Sequence, residues 1–386
     1  MGSSPSLPAL EPLEIHSGMV FGARRNPRPA AETSPPEPET VRAALEELVR
    51  PALAITPCLV AFSGGRDSSA ILAVATDVAR RHGLDDPIPL TFRYAEHPRA
   101  WETEWQELVI RHLGLENWKV VDIRAEFDVL GPLARSALRR HGLFWPPNAH
   151  TRIPMLEAAR GGSLLGGNGG DEVFRSIVKP KTMTHMQVFR SMPPHRAAMT
   201  FVVNALPARW RIFAQYHHGL RFPWLRPAAR REVWRRFIDH SAQLRRETHY
   251  LERVGDSRYL ELQQGIAGAL TGDTDVALLE PFFEPRFFRA LLAETPAAGF
   301  PNRGAAMGHF FGDLLPPEIV HRTSKAVFTE SFWGPDSQGF ARRWDGTGLD
   351  ASLVHPDALR RQWLLPKPDM RSATALQAAW LASREA

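Results

Sequence analysis

The sequence predicts an α/β fold, in which a doubly wound, mostly parallel sheet is followed by a mainly helical C-terminal half. Two observations predict the sheet: short apolar runs alternate with helical periodicity, and glycine-rich loops follow two of those runs. A third observation predicts the helical half, because the strand signal disappears after Phe174. The expected organisation is a flexible segment over 1–40, an α/β core over 41–185 and a helical substrate-binding and lid region over 186–386.

The pattern of apolar residues predicts the elements in order. Residues 1–40 are rich in Pro and Ser, and only Gly18 to Gly22 are a candidate short strand there. Apolar residues at helical spacing predict helices over 41–53, 70–81, 102–113, 129–141 and 152–160. Apolar runs predict strands over 59–62, 88–92, 118–123 and 163–166. Ligands of such sheets bind beyond the carboxyl ends of the strands, so we expect the site in the loops that follow these runs.

Composition and charge exclude several classes of protein. The formal net charge is +5 over 386 residues, which is too small to indicate nucleic-acid binding by itself. The single cysteine, Cys58, excludes an internal disulfide and a cysteine-based zinc site. No apolar run approaches the ~18 residues of a membrane span, and no secretory signal is evident. We therefore expect a cytoplasmic protein that contacts neither nucleic acid nor membrane.

Arginine and tryptophan are concentrated in residues 190–250. Interleaved arginine and aromatic side chains can hold a polyanion or an acidic peptide. The sequence favours a simpler interpretation, a set of amphipathic helices in which the tryptophans pack and the arginines are solvated.

The strongest functional signal is the loop at 63–69, with the sequence Ser-Gly-Gly-Arg-Asp-Ser-Ser. An apolar strand leads into this loop and a helix follows it, so its backbone N–H groups would point at an anion such as phosphate. Ser63 and Ser68 add hydroxyl donors. Asp67 would repel a phosphate unless a cation lies between them, which makes it a candidate Mg²⁺ ligand. The Gly-Lys-Ser/Thr ending of a Walker A loop is missing.

A second glycine-rich loop, Gly166 to Glu172, follows the fourth predicted strand. It places Asp171 at another strand end of the same sheet. Two glycine–carboxylate loops at one edge of a sheet are a stronger signal than either loop alone. We expect Asp67 and Asp171 to share a Mg²⁺ ion that is bound to a polyphosphate.

Three segments carry a resemblance to a known superfamily. The loop at 63–69 resembles the S-G-G-x-D-S pyrophosphate loop of N-type ATP pyrophosphatases, and residues 165–174 resemble the L-S-G-E-G-x-D-E-x-F segment of asparagine synthetases. Residues 315–325 resemble that family's L-P-x-E-I-x-x-R-x-x-K stretch. The match covers about residues 41–335, so the chain is similar to the synthetase domain of asparagine synthetase B, β-lactam synthetase and lasso peptide macrolactam synthetase. This resemblance implies a sheet of the adenine nucleotide alpha hydrolase type.

The resemblance also implies a reaction, an ATP-dependent ligation that uses Mg²⁺. A carboxylate attacks the α-phosphorus of ATP, pyrophosphate leaves, and an amine attacks the acyl adenylate to give an amide and AMP. By correspondence, Lys325 is the catalytic lysine, and Asp67 and Asp171 are catalytic residues that bind the metal. The positions that correspond to ATP contacts are Ala61, Ser63, Gly64, Gly65, Asp67, Ser68, Gly166 and Gly167.

Departures from the family pattern bear on the substrate. Residue 2 is Gly2 rather than a nucleophilic cysteine, so we expect no glutaminase domain and no use of glutamine. In one interpretation, residues 1–40 are the remnant of such a domain. Asn168 stands where the family has Glu, and residues 277–284 lack the Glu and the Arg of the family's E-x-R-x-P-F-L-D segment. Free aspartate is therefore a poor candidate substrate, and a larger substrate with its own amine is favoured.

These departures favour the lasso-cyclase and β-lactam synthetase side of the family. Between the two, the arginine- and tryptophan-rich region favours a peptide substrate, so we expect a peptide macrolactam cyclase of the lasso type. Its partners would be a peptide or amino-acid-derived substrate with a carboxylate and an amine, a leader-peptide-binding protein and a protease. The alternatives are an asparagine synthetase-like or β-lactam synthetase-like ligase of a small amino-acid derivative, a tRNA- or nucleotide-modifying enzyme, and a non-catalytic nucleotide-binding descendant. A modifying enzyme would need a basic RNA domain or a thiol relay, and Cys58 does not fit a relay because it lies before the strand.

Overall fold

The described parts of the chain contain a five-stranded sheet with helices on both faces. The computed structural model describes residues 7–26, 39–94, 101–124, 126–178, 207–217, 219–246, 255–296, 299–324 and 329–383. The strands are β1 (Cys58–Ala61), β2 (Ile88–Tyr94), β3 (Lys119–Ile123), β4 (Ser163–Leu165) and β5 (Ala277–Leu279). Neighbouring strands run parallel in the order β3-β2-β1-β4-β5, which confirms the predicted α/β fold.

Helices connect the strands and dominate the C-terminal half, as the sequence predicts. Up to residue 178 they are α1 (Pro12–Ser17), α2 (Val41–Leu53), α3 (Arg66–Arg81), α4 (Thr103–Leu113), α5 (Pro132–His141), α6 (Ile153–Ala158) and α7 (Gly170–Ser176). After residue 206 they are α8 (Ala208–Tyr216), α9 (Pro227–Arg246), α10 (Arg258–Gly272), α11 (Pro285–Glu294), α12 (Arg303–Phe311), α13 (Pro317–Val320), α14 (Pro335–Arg343), α15 (Pro356–Trp363) and α16 (Ala373–Leu381). Short 3-10 helices span Ala149–Arg152, Pro281–Phe283, Thr329–Phe332 and Met370–Ser372. Within the described residues, no helix combines the length and the apolar character that a membrane crossing requires.

Both faces of the sheet are buried, which explains why the strands occur in the sequence as continuous apolar runs. In β1, Val60 packs into a core formed with α2, α3, α4, α11 and α12, whereas Leu59 packs into a core formed with α5, α6, α10 and α14–α16. The same alternation separates Leu165 from Leu164 in β4. The sheet is therefore the middle layer between two sets of helices.

The strand order reverses at β1, since β2 and β3 lie on one side of it and β4 and β5 on the other. The connections that leave β1 and β4 diverge at such a switch point and open a crevice at the carboxyl edge of the sheet. The two glycine-rich loops, 63–69 and 166–172, follow β1 and β4 directly. The topology therefore brings both loops to the crevice.

The strand β5 is absent from the sequence prediction. It is only three residues long, and Glu280 and Pro281 separate it from the next apolar pair, Phe282 and Phe283, so neither length nor alternation identifies it. In the structure Leu279 pairs with Leu165, and the Gly166 N–H donates to the Leu279 carbonyl at 2.9 Å. This pairing brings a segment of the C-terminal half to the second glycine-rich loop.

The N-terminal residues 7–26 pack against the helical half. The predicted short strand at Gly18 to Gly22 is wrong: Gly18 ends α1 with a φ of 64°, and the nearest pairing is an isolated bridge between Ala23 and Ser257. Met19 and Phe21 pack their side chains against the core instead. The predicted domain boundary at residues 185 and 186 lies outside the described residues.

The arginine- and tryptophan-rich region includes α8 and α9, and its first part, through residue 206, lies outside the described residues. Trp224 is buried, and Trp234 packs against the aromatic ring of Phe213. Arg235 forms an exposed ion pair with Glu232 on its own helix. These contacts agree with amphipathic helices that carry packed tryptophans and solvated arginines, except at Trp210 on α8, which is 62% exposed.

Candidate active site

A cavity of about 840 Å³ lies at the carboxyl edge of the sheet. Small-molecule sites typically measure ~300–1,000 Å³, so this cavity has the size of a substrate site. Residues of both glycine-rich loops line it, namely Ser63, Gly65, Arg66, Asp67, Ser68, Gly166, Gly167, Asn168 and Asp171.

Hydroxyl groups within the first loop hold it in shape. The Ser63 N–H donates to Ser68 Oγ at 3.2 Å, and Ser68 Oγ donates to the Gly65 carbonyl at 3.1 Å. Gly64 has a φ of 78°, a left-handed conformation that favours glycine. Gly65 is the N-cap of α3 and no side chain caps this helix, so the N–H groups of its first turn are available to a ligand.

The second loop packs directly on the first. A Cβ on Gly167 would lie 3.2 Å from the Ser68 nitrogen, and a Cβ on Gly170 would lie 2.6 Å from Asp67 Oδ2. Side chains at these two positions would push the loops apart. The absence of a Cβ therefore allows Asp67 and Asp171 to approach a common point.

One guanidinium group joins the carboxylates of the two loops. Arg303, the first residue of α12, donates through Nη2 to Asp67 and through Nη1 to Asp171. The same guanidinium lies 5.9 Å from the centre of the Phe174 ring. Burial acts to lower the pKa of Arg303, but the two carboxylates outweigh burial and raise it above its ordinary value. Arg303 is therefore a charged group held between the loops.

A buried arginine fixes the segment that leads to the predicted catalytic lysine. Arg322 donates to the Gly64 carbonyl at 3.0 Å and pairs with the carboxylate of Glu102. Ser324 lines the cavity and accepts a hydrogen bond from Arg322 Nε at 3.0 Å. Lys325 itself lies outside the described residues, and it follows Ser324 in the chain.

Another group of polar side chains lies at the ends of β4 and β5. Glu280 follows β5, and its Oε1 accepts hydrogen bonds from Arg152 Nη2 at 2.8 Å and from Asn168 Nδ2 at 2.6 Å. The Arg152 and Glu280 side chains are 12% and 10% exposed. All three side chains line the cavity. The residue that departs from the family's Glu, Asn168, thus contacts a carboxylate from the neighbouring strand end.

Two aromatic residues form a wall of the cavity. The rings of Trp145 and Tyr259 meet edge to face, with centres 5.0 Å apart. The Tyr259 hydroxyl donates to Glu172 Oε1 at 2.7 Å. Burial, followed by the charge of Glu172, raises the pKa of Tyr259, so the phenol keeps its proton at neutral pH. This wall combines an apolar surface with polar edges, a lining that is typical of small-molecule sites.

The comparison with protein families identifies the group to which this architecture belongs. Residues 40–382 match the asparagine synthase family. The chain belongs to this family. Its members are ATP-dependent ligases, and they use ATP usually together with Mg²⁺. The predicted resemblance to the asparagine synthetase-like superfamily is confirmed. A comparison with curated proteins finds no match.

The structure gathers most of the residues that the family resemblance assigns to ATP. Those that line the cavity are Ala61, Ser63, Gly65, Asp67, Ser68, Gly166 and Gly167. Gly64 is the exception, because its Cα faces Gln106 and its carbonyl accepts from Arg322. Contact of these residues with ATP stays a prediction.

The arrangement of Asp67 and Asp171 fits the predicted Mg²⁺ ion. Both carboxylates already converge on one cation, the guanidinium of Arg303. No group of three or more His, Cys, Asp or Glu side chains that could hold a metal occurs in the described ranges, and this site offers two carboxylates. Two carboxylates suffice for Mg²⁺ when phosphate oxygens and water complete its shell. Mg²⁺ can bind between Asp67 and Asp171 only if Arg303 releases at least one of these two carboxylates.

Sequence reasoning missed Arg303, Arg152, Glu280 and Tyr259. The rule that ligands bind at the carboxyl ends of parallel strands would have selected Glu280, had β5 been recognised. Arg303 follows Asn302, whose side chain caps α12 by accepting from the Ala305 N–H at 2.9 Å. That capping signal predicts the start of a helix but not its contact with Asp67, because the contact joins residues 236 positions apart.

Proposed function

We propose that this member of the asparagine synthase family adenylates a carboxylate, releases pyrophosphate and couples the acyl group to an amine, and that its substrate is a peptide closed to a macrolactam of the lasso type. Family membership supports ATP-dependent amide ligation. The observation that carries the proposal is the meeting of the α3 N-terminus with two glycine–carboxylate loops in one cavity at the switch point of the sheet.

The two chemical steps make different demands on the site. In the first, a carboxylate oxygen bonds to the α-phosphorus while pyrophosphate leaves; in the second, the amine nitrogen bonds to the acyl carbon, loses a proton and expels AMP. The N-terminus of α3 and the hydroxyl groups of Ser63 and Ser68 are suited to hold pyrophosphate. When bound, Mg²⁺ supplies charge neutralisation at the phosphates.

The positive charge around the first loop also favours a polyphosphate. Burial, and then the nearby charge of Arg303, lowers the pKa of Arg66, so the charge of Arg303 destabilises the charged form of Arg66. A polyphosphate between them would remove this repulsion, since guanidinium groups bind phosphate oxygens through charge-assisted hydrogen bonds.

The remainder of the cavity supports a substrate larger than aspartate. The lining extends from the phosphate loops to Met155 and to the wall formed by Trp145 and Tyr259. On β5, Ala277 and Leu279 replace the charged Glu and Arg of the family segment, so this strand offers no charged pair to a free amino acid. An extended, partly apolar peptide matches these surfaces better than a small zwitterion.

Cys58 gives no support to a nucleotide-modifying enzyme with a thiol relay. It is the first residue of β1, at the amino end of the strand, whereas the cavity lies at the carboxyl edge. The thiol is buried, and burial raises its pKa.

The test is ATP–pyrophosphate exchange with a panel of carboxylates that includes peptides with a side-chain carboxylate and a free N-terminal amine. We expect exchange with a peptide, followed by AMP release and a product that has lost one water. Asp67→Asn and Asp171→Asn should each abolish exchange while the far-ultraviolet circular dichroism stays unchanged. Exchange that is supported only by free aspartate or another small amino acid would overturn the peptide assignment. If none of the carboxylates in the panel supports exchange, the ligase assignment is overturned.

Lys325 is the predicted source of mobile positive charge in the reaction. The preceding residue, Ser324, lines the cavity, and Lys325 itself lies outside the described residues. Lys325→Ala should lower single-turnover AMP release by on the order of 10²-fold, the scale for loss of one preorganised contact to a developing charge. ATP affinity, measured by titration, should change much less. Lys325→Arg should restore only part of the rate, because its planar group presents charge differently. Normal AMP release in Lys325→Ala would mean that the lysine takes no part in the reaction.

A further inference from the structure

We propose that Glu280 forms the subsite for the attacking amine. Its Oε2 binds the amine as a primary ammonium group, which releases one proton to water before its nitrogen attacks the acyl carbon. The inference rests on the ligase function proposed above, because that reaction requires an amine and leaves its binding place open. Glu280 lies outside the three segments that carry the family resemblance, residues 63–69, 165–174 and 315–325.

Glu280 occupies a fixed position at the strand ends. The pairing of β4 with β5 places it directly beside Gly166, where an added Cβ would lie 3.2 Å from Glu280 Cγ and 3.4 Å from its Oε1. The carboxylate therefore lines the same cavity as the phosphate loops, one strand away from Asp171. A group bound at Glu280 would lie within the cavity in which the acyl adenylate is expected.

The hydrogen bonds of Glu280 leave one oxygen for a ligand. Both donors, Arg152 and Asn168, bind Oε1. Within the described ranges, Oε2 accepts no hydrogen bond from the protein. The carboxylate is thus held in place through Oε1, and a carboxylate oxygen with open lone pairs binds an ammonium donor well.

Charge decides which ligand this oxygen favours. The triphosphate of ATP is an anion, and a carboxylate without a bridging metal repels it. Asp67 and Asp171 resolve that conflict through a shared cation, whereas Glu280 has Arg152 as its one ion-pair partner among the described residues. An ammonium group is the ligand that gains from the lone pairs of Oε2, the oxygen that Arg152 does not contact, and an amide ligase must bind an amine.

The first arm of the test uses a probe that needs no knowledge of the substrate. Binding of benzylammonium and of benzyl alcohol, which has the same shape without the charge, is measured by saturation-transfer NMR titration. Wild-type protein should prefer the ammonium by at least about tenfold, the scale of a charge-assisted hydrogen bond. Glu280→Gln should remove this preference. Glu102→Gln is the matched control, since Glu102 also lines the cavity and pairs with an arginine, and it should keep the preference.

A second variant guards against a folding defect in Glu280→Gln. Arg152→Gln removes the cation that competes for Glu280 and should tighten benzylammonium binding several-fold. Retention of the ammonium preference in Glu280→Gln, or weaker benzylammonium binding in Arg152→Gln, would overturn the proposal.

The second arm separates this inference from the proposed function. With a carboxylate that supports exchange, Glu280→Gln should keep ATP–pyrophosphate exchange and trapping of the adenylate by hydroxylamine, while amide formation falls. Loss of exchange with a raised KM for ATP would place Glu280 in the nucleotide site and overturn the proposal. If wild-type protein shows no exchange with any carboxylate but binds ammonium through Glu280, the ligase function fails and the ammonium subsite stands.

Discussion

At the scale of single residues, the guanidinium group of Arg303 occupies the place between two carboxylates that a metal ion is expected to take. Its guanidinium bridges Asp67 and Asp171 and is itself only 20% exposed. Two carboxylates that converge without a cation repel each other. In the absence of metal, Arg303 therefore stabilises the same arrangement that Mg²⁺ is expected to stabilise with ATP.

Arg303→Met should make the stability of the protein depend more strongly on Mg²⁺. Loss of the shared cation should lower the free energy of unfolding by about 1–3 kcal/mol in the absence of Mg²⁺. Added Mg²⁺ should then raise the melting temperature more in the variant than in the wild type, because the carboxylates no longer hold a competing cation. KCl at equal ionic strength is the control for screening. An equal Mg²⁺ response in both proteins would contradict a metal site at these carboxylates.

Burial of His150 predicts a dependence of stability on pH. The side chain is fully buried, and burial lowers its pKa to about 4 from the ordinary 6.5. Between these two values the unfolded chain binds a proton that the folded chain does not, so stability falls as the pH falls through this range. The contribution amounts to roughly 3 kcal/mol at its limit. Chemical denaturation of wild type and His150→Gln at several pH values should show a shallower acid slope in the variant. His112→Gln, an exposed control, should keep the wild-type slope.

At the scale of elements, the two glycine-rich loops depend on each other. Gly170 begins α7, and its Cα lies against the Asp67 side chain on α3. Gly170→Ala should displace the Asp67 carboxylate, because the new Cβ would lie 2.6 Å from Oδ2. We expect AMP formation to fall on the order of 10²-fold, the scale for small misplacements in an active site.

Gly268→Ala is the matched control, since no atom lies within 4 Å of its added Cβ in α10. It should leave activity unchanged and raise stability by about 0.5–1 kcal/mol. Equal activity of the two variants would show that the loops do not need this contact.

The same loops mark how far the sequence predicts the site. Strong local patterns predict β1, α3 and β4, because buried parallel strands are continuous apolar runs and the glycines follow them directly. The contacts of Arg303 and Glu280 are not predictable in this way, since each joins segments more than 100 residues apart. Such contacts depend on the pairing of β5 and on the packing of α12, which no local pattern encodes.

At the scale of the whole molecule, the N-terminal residues 7–26 belong to the packing of the helical half. Trp224 donates to the His16 carbonyl at 2.8 Å, and Trp145, in the cavity wall, donates to the Gly18 carbonyl at 3.3 Å. The family match begins at residue 40, so these contacts come from outside the matched region. The N-terminal segment thus supports a wall of the cavity that the family domain supplies.

A buried ion-pair network joins the N-terminal segment to α10. Arg258 is 2% exposed and donates to both carboxylate oxygens of Glu14, at 3.1 and 3.2 Å, and to Glu261 at 3.0 Å. Glu14→Gln removes one counter-charge and leaves the guanidinium buried, which should lower the free energy of unfolding by about 3 kcal/mol. Arg25→Gln is the matched control, because its pair with Glu11 is exposed, and it should cost less than about 1 kcal/mol. Urea denaturation followed by tryptophan fluorescence measures both values. Similar small losses in the two variants would mean that the N-terminal segment rests on the surface of the helical half without contributing to its stability.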